Sequence, residues 1–230
     1  YKWHDVEDYS DNDLTNYLRS YKFDILFDLS GFTNGNRFEV LARRCANIQI
    51  EWLGYNNSLG AKNIDYLITD KNLIKTNEHK FYKEKILYLP NIWNALSPPI
   101  QLPNIEKKIN KNISDFTFCS FNNFQKISDR TIEVWSKILK ETKSKLLLKN
   151  SLLGGDDLKN NVLNKFIDSG VAKNQIIFLE KEKTILDHLK LYNRADVALD
   201  TFPYPGVTTT YEAILMGLPV LTMRGFNFNS

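Results

Sequence analysis

Short runs of apolar residues recur along this chain, and segments with helical spacing separate them. Four runs lie at residues 25–29, 48–53, 66–68 and 86–89, and five more lie at residues 116–121, 145–148, 176–179, 197–199 and 219–222. Runs of this length are typical of strands that are buried in a parallel sheet. The pattern therefore predicts an α/β chain in which strands and helices alternate.

The helix expected after Ser128 illustrates the helical pattern. Ser128 can cap the amino end, and Ile132, Trp135 and Leu139 then fall on one face at spacings of three and four residues. Alternating strands and helices predict a doubly wound sheet with right-handed crossovers. Ligands of such sheets bind beyond the carboxyl ends of the strands, so we expect the site in the loops that follow strands.

A polar passage interrupts the pattern near the middle of the chain. It contains Pro98, Pro99 and Pro103, a lysine pair follows it, and neither a helical nor a strand period is present. We therefore predict a linker at residues 106–112.

The composition excludes several functional classes. Hydrophobic residues make up 43% and charged residues 25%, as in ordinary globular proteins, and the formal net charge is only +3. This balance gives no support to nucleic-acid binding, and no apolar run is long enough for a membrane span. Cys45 and Cys119 lie far apart, which argues against a zinc site or a redox pair and favours the cytoplasm.

The most informative segment runs from a predicted strand through a Pro/Gly turn into a helix that starts at Thr208, Thr209 and Thr210. Free N–H groups at a helix start attract anions, and three hydroxyl groups add donors, so the segment fits a phosphate site. The threonines fit equally well as simple caps. Glu212, one turn later, could accept hydrogen bonds from a ribose, or it could simply favour the helix dipole.

Three further features are weaker candidates. Lys126 follows another predicted strand and could neutralise a diphosphate, and His188 lies in a helical stretch from which it could face a base. Each is by itself more often a surface residue. Asp11 and Asp13 resemble the Asp-x-Asp pair that holds a metal ion in many glycosyltransferases, but their polar setting favours the start of a helix.

Four blocks resemble the O-linked N-acetylglucosamine transferases of the SPINDLY-like type. They lie at residues 24–37, 48–55, 118–126 and 199–219, in the order and at the separations of that family. The resemblance implies a GT-B fold with two Rossmann-like lobes. Residues 1–105 would be the latter part of the first lobe, and residues 113–230 a truncated second lobe that binds the nucleotide sugar.

Position by position, the resemblance assigns roles to five residues. Lys126 corresponds to a lysine that contacts the diphosphate and acts in catalysis, Thr208 and Thr209 to phosphate-binding residues, His188 to a histidine facing uracil, and Glu212 to an acidic ribose ligand.

The resemblance places three more residues near the donor. Leu53 and Gly54 stand where relatives line the sugar end of the pocket, and Gln125 precedes the lysine near the nucleotide. Two departures leave the sugar open. Residues 56–58 are Asn-Asn-Ser where relatives have Pro-Gly-Thr or similar, and Pro205 replaces the usual Asn before Gly206.

The implied function is inverting transfer of N-acetylglucosamine from UDP-GlcNAc to Ser or Thr hydroxyl groups of a protein or peptide, without a metal cofactor. The proposed catalytic histidines and aspartate, together with tetratricopeptide repeats, would lie upstream of Tyr1, so we expect the chain alone to be an inactive fragment. Two alternatives remain open: a transferase with another nucleotide sugar or acceptor, and a nucleotide-sugar-binding module that does not catalyse transfer.

Overall fold

The computed structural model divides into two compact units, Tyr1–Ala95 and Leu96–Ser230. It describes residues 2–55, 57–99, 101–106, 112, 116–149 and 155–225. Most of the predicted linker, residues 107–111, lies outside the described residues.

The first unit contains a four-stranded parallel sheet. Its elements are α1 (Asp11–Ser20), β1 (Ile25–Asp28), α2 (Phe38–Ala42), β2 (Ile48–Glu51), β3 (Tyr66–Thr69), a 3-10 helix (Thr76–Phe81) and β4 (Lys85–Tyr88). The strands lie in the order β1-β2-β3-β4, and each neighbouring pair is parallel. The first four apolar runs are therefore confirmed as strands.

The second unit contains a five-stranded parallel sheet. Its elements are β5 (Thr117–Ser120), a 3-10 helix (Phe124–Lys126), α3 (Asp129–Thr142), β6 (Lys145–Lys149), α4 (Gly155–Asp168), a 3-10 helix (Lys173–Gln175), β7 (Ile176–Leu179), α5 (Ile185–Lys190), a 3-10 helix (Leu191–Arg194), β8 (Val197–Leu199), α6 (Thr208–Leu215) and β9 (Val220–Leu221). The strand order is β7-β6-β5-β8-β9, which is the doubly wound arrangement that the sequence predicts.

Local capping confirms two helix predictions. The Ser128 hydroxyl accepts a hydrogen bond from the Thr131 amide at 3.2 Å, and Ile132 and Leu139 on the predicted face of α3 are buried. Helix α1 begins at Asp11 with Ser10 as its N-cap, so the helical interpretation of Asp11 and Asp13 is also confirmed.

Two apolar layers enclose the second sheet. One layer includes Phe118, Trp135, Leu148 and Phe166, which are packed together and buried. The other layer, on the side of α5 and α6, is built from buried residues that include Leu147, Leu189, Tyr192, Ala213 and Met216. Helices therefore cover both faces of the sheet. None of the described helices is both long and apolar enough to cross a lipid bilayer.

Two polar side chains of β2 are buried in the first sheet, and they differ in whether they find hydrogen-bond partners. Gln49 is fully buried, and its amide group exchanges hydrogen bonds with the Cys45 amide and with two carbonyl groups. Glu51 is 1% exposed, and neither carboxyl oxygen has a hydrogen-bond partner in the described part of the chain. Burial, together with the nearby carboxylates of Glu84 and Asp28, raises the pKa of Glu51 to about 9. Glu51 is therefore protonated at neutral pH.

We predict that Glu51→Gln stabilises the chain in a pH-dependent way. The carboxyl group titrates near ~4.3 in an unfolded chain, so folding loses stability as the pH rises from there towards the folded pKa. Glutamine preserves the neutral shape and cannot ionise. We expect a gain in the free energy of unfolding on the order of 2–4 kcal/mol near pH ~8, which disappears near pH ~4.5.

Urea unfolding across this pH range measures the effect. The matched control is Glu39→Gln, because Glu39 is an exposed residue on α2. A stability difference for Glu51→Gln that does not change with pH would contradict the assignment of a neutral buried carboxyl group.

Candidate active site

The strand order places the site of the second unit between β5 and β8. The chain leaves β5 towards β6 and β7 on one side, and it leaves β8 towards β9 on the other. At such a switch point the two following loops diverge and leave a crevice at the carboxyl edge of the sheet. Residues 121–127 and residues 200–207 form these two loops.

A cleft of about 420 Å³ opens near this edge. Its lining residues are Phe121, Lys149, Lys181, Glu182, Lys183, Thr184, Ile185, His188, Thr208, Thr209 and Glu212. The structure thus brings four of the predicted residues, His188, Thr208, Thr209 and Glu212, to one cleft.

The three threonines at the start of α6 are not equivalent. Thr209 donates its hydroxyl hydrogen to Asn122 Oδ1 at 2.8 Å, and Thr210 donates to the Gly206 carbonyl at 3.2 Å. The Thr208 hydroxyl has no partner among the described residues. The first hydrogen bond of the helix runs from the Tyr211 amide to the Val207 carbonyl. The amides of the three threonines lie before Tyr211, so they take no part in the hydrogen bonds within the helix. An anion here would meet backbone amides and the Thr208 hydroxyl.

Asp200, at the end of β8, fixes the shape of this turn. Its Oδ1 accepts hydrogen bonds from the Gly206 amide at 2.7 Å, the Thr201 amide at 2.9 Å and Asn122 Nδ2 at 3.2 Å. Its Oδ2 accepts from the Thr222 hydroxyl at 2.9 Å. Asp200 and Asn122 were not predicted as site residues, although both are polar residues close behind a predicted strand.

On the other side of the cleft, polar contacts join the predicted His188 and Glu212. His188 Nε2 lies 3.0 Å from Glu212 Oε2, and the Tyr192 hydroxyl donates to the same oxygen at 2.9 Å. Lys149 Nζ lies 2.7 Å from His188 Nδ1. The ring of Phe121 lies 5.9 Å from the His188 ring, measured between centroids. The contact of Lys149 with His188 was not predicted, because the two residues are remote in the chain. Tyr192 was not predicted either, although it lies only four residues after His188.

Lys126 lies apart from the residues that line the cleft. Its Nζ donates to the Pro205 carbonyl at 3.1 Å and lies 4.5 Å from the centre of the Tyr204 ring. Burial lowers the pKa of Lys126, and the charge of Asp200 opposes that shift. Gln125 is exposed beside it, in the same 3-10 helix.

The predicted residues of the first unit occupy a strained turn after β2. Leu53 has a backbone φ of +76°, which is rare for a residue with a bulky side chain. A Cβ atom added to Gly54 would lie 1.8 Å from the Leu29 carbonyl oxygen. Strain of this kind often accompanies functional loops. The structure therefore requires glycine at residue 54. Both residues of this turn belong to the first unit.

The comparisons with known proteins agree with one another. Residues 9–117 and 107–230 match the family described as "Glycosyl transferase family 41". The chain is 32% identical over 224 residues to the "Probable UDP-N-acetylglucosamine--peptide N-acetylglucosaminyltransferase SPINDLY" of Eustoma exaltatum subsp. russellianum, which covers 97% of this chain. It spans only 24% of the length of that relative.

Solved structures give the same result for the fold. The O-GlcNAc transferase of Thermobaculum terrenum, as its K341M mutant, superposes with a TM-score of 0.89 at 32% identity, covering 98% of this chain and 43% of that chain. Anabaena Alr3699/HepE, solved with UDP and glucose, superposes at 0.55 with 14% identity, covering 96% of this chain and 64% of its own, which supports the fold alone. The predicted GT-B class, with two Rossmann-like units, is confirmed.

We predict that Gly206→Ala destabilises the second unit. The added Cβ would lie 2.5 Å from Thr209 Oγ1 and 2.9 Å from Asn122 Oδ1, so the hydrogen-bonded turn must shift. Overpacking of this kind costs about 1–3 kcal/mol. Thermal and urea unfolding measure the loss. The matched control is Val207→Ala, which changes the neighbouring residue. The Val207 side chain forms no capping hydrogen bond. Equal midpoints for the two variants would contradict the tight turn.

Proposed function

Because the chain belongs to glycosyl transferase family 41, we propose that its second unit binds the UDP part of UDP-N-acetylglucosamine. The whole protein then transfers the sugar, with inversion, to Ser or Thr hydroxyl groups of proteins. One observation carries the proposal: the start of α6, His188 and Glu212 line a single cleft at the switch point of a doubly wound sheet.

The cleft offers a separate place for each part of the nucleotide. The amides of Thr208–Thr210 and the Thr208 hydroxyl suit the diphosphate, because they are unpaired donors at the positive end of a helix. Glu212 Oε2 is occupied by His188 and Tyr192, whereas Oε1 has no partner in the described structure, so Oε1 can accept from a ribose hydroxyl. The His188 ring then faces the uracil.

In this mechanism negative charge grows on the β-phosphate as UDP departs. Donors that are already oriented towards that charge lower the barrier. The helix start is such a group, and Lys126 supplies a full positive charge on the loop that faces the threonine turn across the β5–β8 crevice. For this role the Lys126 side chain must exchange the Pro205 carbonyl for a phosphate oxygen.

The remaining parts of the proposal concern the whole protein. Leu53 and Gly54 contribute to the sugar end of the site, and Gln125 lies near the nucleotide. Tetratricopeptide repeats upstream select the acceptor protein. The reaction takes place in the cytoplasm, where thiols stay reduced, and this suits Cys45 and Cys119, which are buried and form no disulfide with each other.

The proposal is tested by calorimetry of the chain with UDP and by hydrolysis of a panel of nucleotide sugars by the intact protein. We expect UDP to bind and UDP-GlcNAc to be the preferred donor. Preference for a different nucleotide sugar would support the alternative transferase, and binding without turnover in the intact protein would support a binding module.

We predict that UDP binds the intact protein equally well in the presence of a chelator. The helix start and lysine charges neutralise the diphosphate, so no divalent ion is required. Asp11→Ala with Asp13→Ala should also leave the Kd for UDP unchanged, since these carboxylates contact Arg37 and Ser10. Complete loss of binding in chelator would contradict the prediction, and a tenfold loss in the double variant would indicate a metal at that pair.

We predict that Lys126→Ala in the intact protein lowers turnover by roughly a hundredfold, with some loss of UDP-sugar affinity. Removal of one oriented donor typically costs ~3 kcal/mol of barrier. Lys126→Arg should restore only part of the rate, because a planar guanidinium cannot occupy the compact position of an ammonium group.

The control for this variant is Lys137→Ala, which removes a lysine that pairs with Glu133 on the exposed surface of α3. Steady-state kinetics are compared on proteins with matching thermal melts. A near-normal rate for Lys126→Ala would remove Lys126 from the catalytic site.

A further inference from the structure

Lys149 is the most deeply buried of the charged side chains that line the cleft. It ends β6, is 5% exposed, and places Nζ 2.7 Å from His188 Nδ1. Burial lowers the pKa of Lys149, while the charges of Glu212 and Glu182 oppose that shift. An ammonium group in such a position needs hydrogen-bond acceptors, and the described structure gives it His188 Nδ1.

The partners of His188 determine where its proton lies. Glu212 Oε2 lies beside Nε2, and a carboxylate only accepts hydrogen bonds, so Nε2 carries the hydrogen. The Tyr192 hydroxyl donates to the same oxygen at 2.9 Å. On the opposite side, Lys149 donates to the lone pair of Nδ1. An ammonium group has only hydrogens to donate, so Nδ1 is the acceptor in this contact and carries no hydrogen itself.

This arrangement leaves no polar edge of the ring available to a ligand. Both ring nitrogens are bonded to protein groups, and the His188 side chain is 17% exposed where it lines the cleft. A planar ligand therefore meets the face of the ring. The Phe121 ring, which also lines the cleft, lies close to both the His188 and Tyr192 rings.

We propose that Lys149 is a positioning residue, which holds His188 as the neutral Nε2–H tautomer and thereby presents the ring face to the base of a bound nucleotide. The inference rests on the proposed function, because it names a further residue of the same nucleotide site. Lys149 acts through His188 and Glu212, and the diphosphate is bound by other groups. No covalent step is involved.

Nuclear magnetic resonance of the imidazole nitrogens tests the tautomer without any ligand. Spectra of the ¹⁵N-labelled chain, with His188 assigned by His188→Gln, should show a protonated Nε2 and an unprotonated Nδ1. Lys149→Met should abolish this pattern, and Lys149→Arg, which keeps a donor, should preserve it. A protonated Nδ1 in the unchanged chain, or identical spectra for the chain and Lys149→Met, would overturn the proposal.

Binding measurements then locate the effect. Lys149→Met should weaken the binding of uridine and the binding of UDP by the same factor, roughly five- to tenfold. The factors should agree because the change affects only the part of the site that holds the base and the ribose. The control is Lys190→Met, which removes a lysine from the same helix as His188 that pairs with Asp187 and does not line the cleft. A loss for UDP that clearly exceeds the loss for uridine would mean that Lys149 binds phosphate and would overturn the proposal.

The two proposals fail in different ways. If the unchanged chain shows the Nε2–H tautomer but binds no UDP, the proposed function is contradicted, while the action of Lys149 on His188 stands. If UDP binds with equal affinity to the chain and to Lys149→Met, the positioning role is contradicted and the proposed function is retained.

Discussion

A single carboxylate holds the second unit's site together. Asp200 accepts hydrogen bonds from Asn122 after β5, from Thr201 and Gly206 after β8, and from Thr222 after β9. The loops of three neighbouring strands are therefore tied to one half-buried acceptor at the carboxyl edge of the sheet. Networks of this kind are stable when every member is satisfied and costly when one is not. The orientation of the α6 start depends on this group.

The same network explains why the threonine turn does not need its own side chains as caps. Asn122 receives the Thr209 hydroxyl hydrogen while it donates to Asp200, so the turn is held by contacts across the sheet. The backbone amides at the helix start are left unused as a result. Unused amides in an ordered turn can bind an anion without reorganisation, and this saves free energy on binding.

The sequence predicted the elements well, because strand length and helical spacing are local properties. The Ser128 cap, the parallel strands and the threonine helix start all follow from residues close together in the chain. The contact of His188 with Glu212 did not follow from spacing, and the contacts of Lys149 with His188 and of Asn122 with Thr209 were missed. Their geometry depends on the strand order, which no local pattern encodes.

Polar residues inside apolar runs were also beyond local reasoning. Alternation along β2 would put Gln49 and Glu51 on a solvated face, yet both are buried. In a parallel sheet the connecting segments pack against both faces, so neither face is left to solvent. Gln49 finds acceptors and a donor, whereas Glu51 finds none among the described residues. The difference lies in the tertiary neighbours rather than in the residue types.

The ammonium groups of Lys149 and Lys126 differ in how firmly they are held. Lys149 is fixed between a ring nitrogen and the charges of Glu212 and Glu182, so moving it would also release His188. Lys126 donates to the Pro205 carbonyl, an acceptor without a net charge. A phosphate oxygen adds the attraction between opposite charges to the same hydrogen bond. An arriving diphosphate can therefore draw Lys126 away from its carbonyl, while Lys149 stays in place.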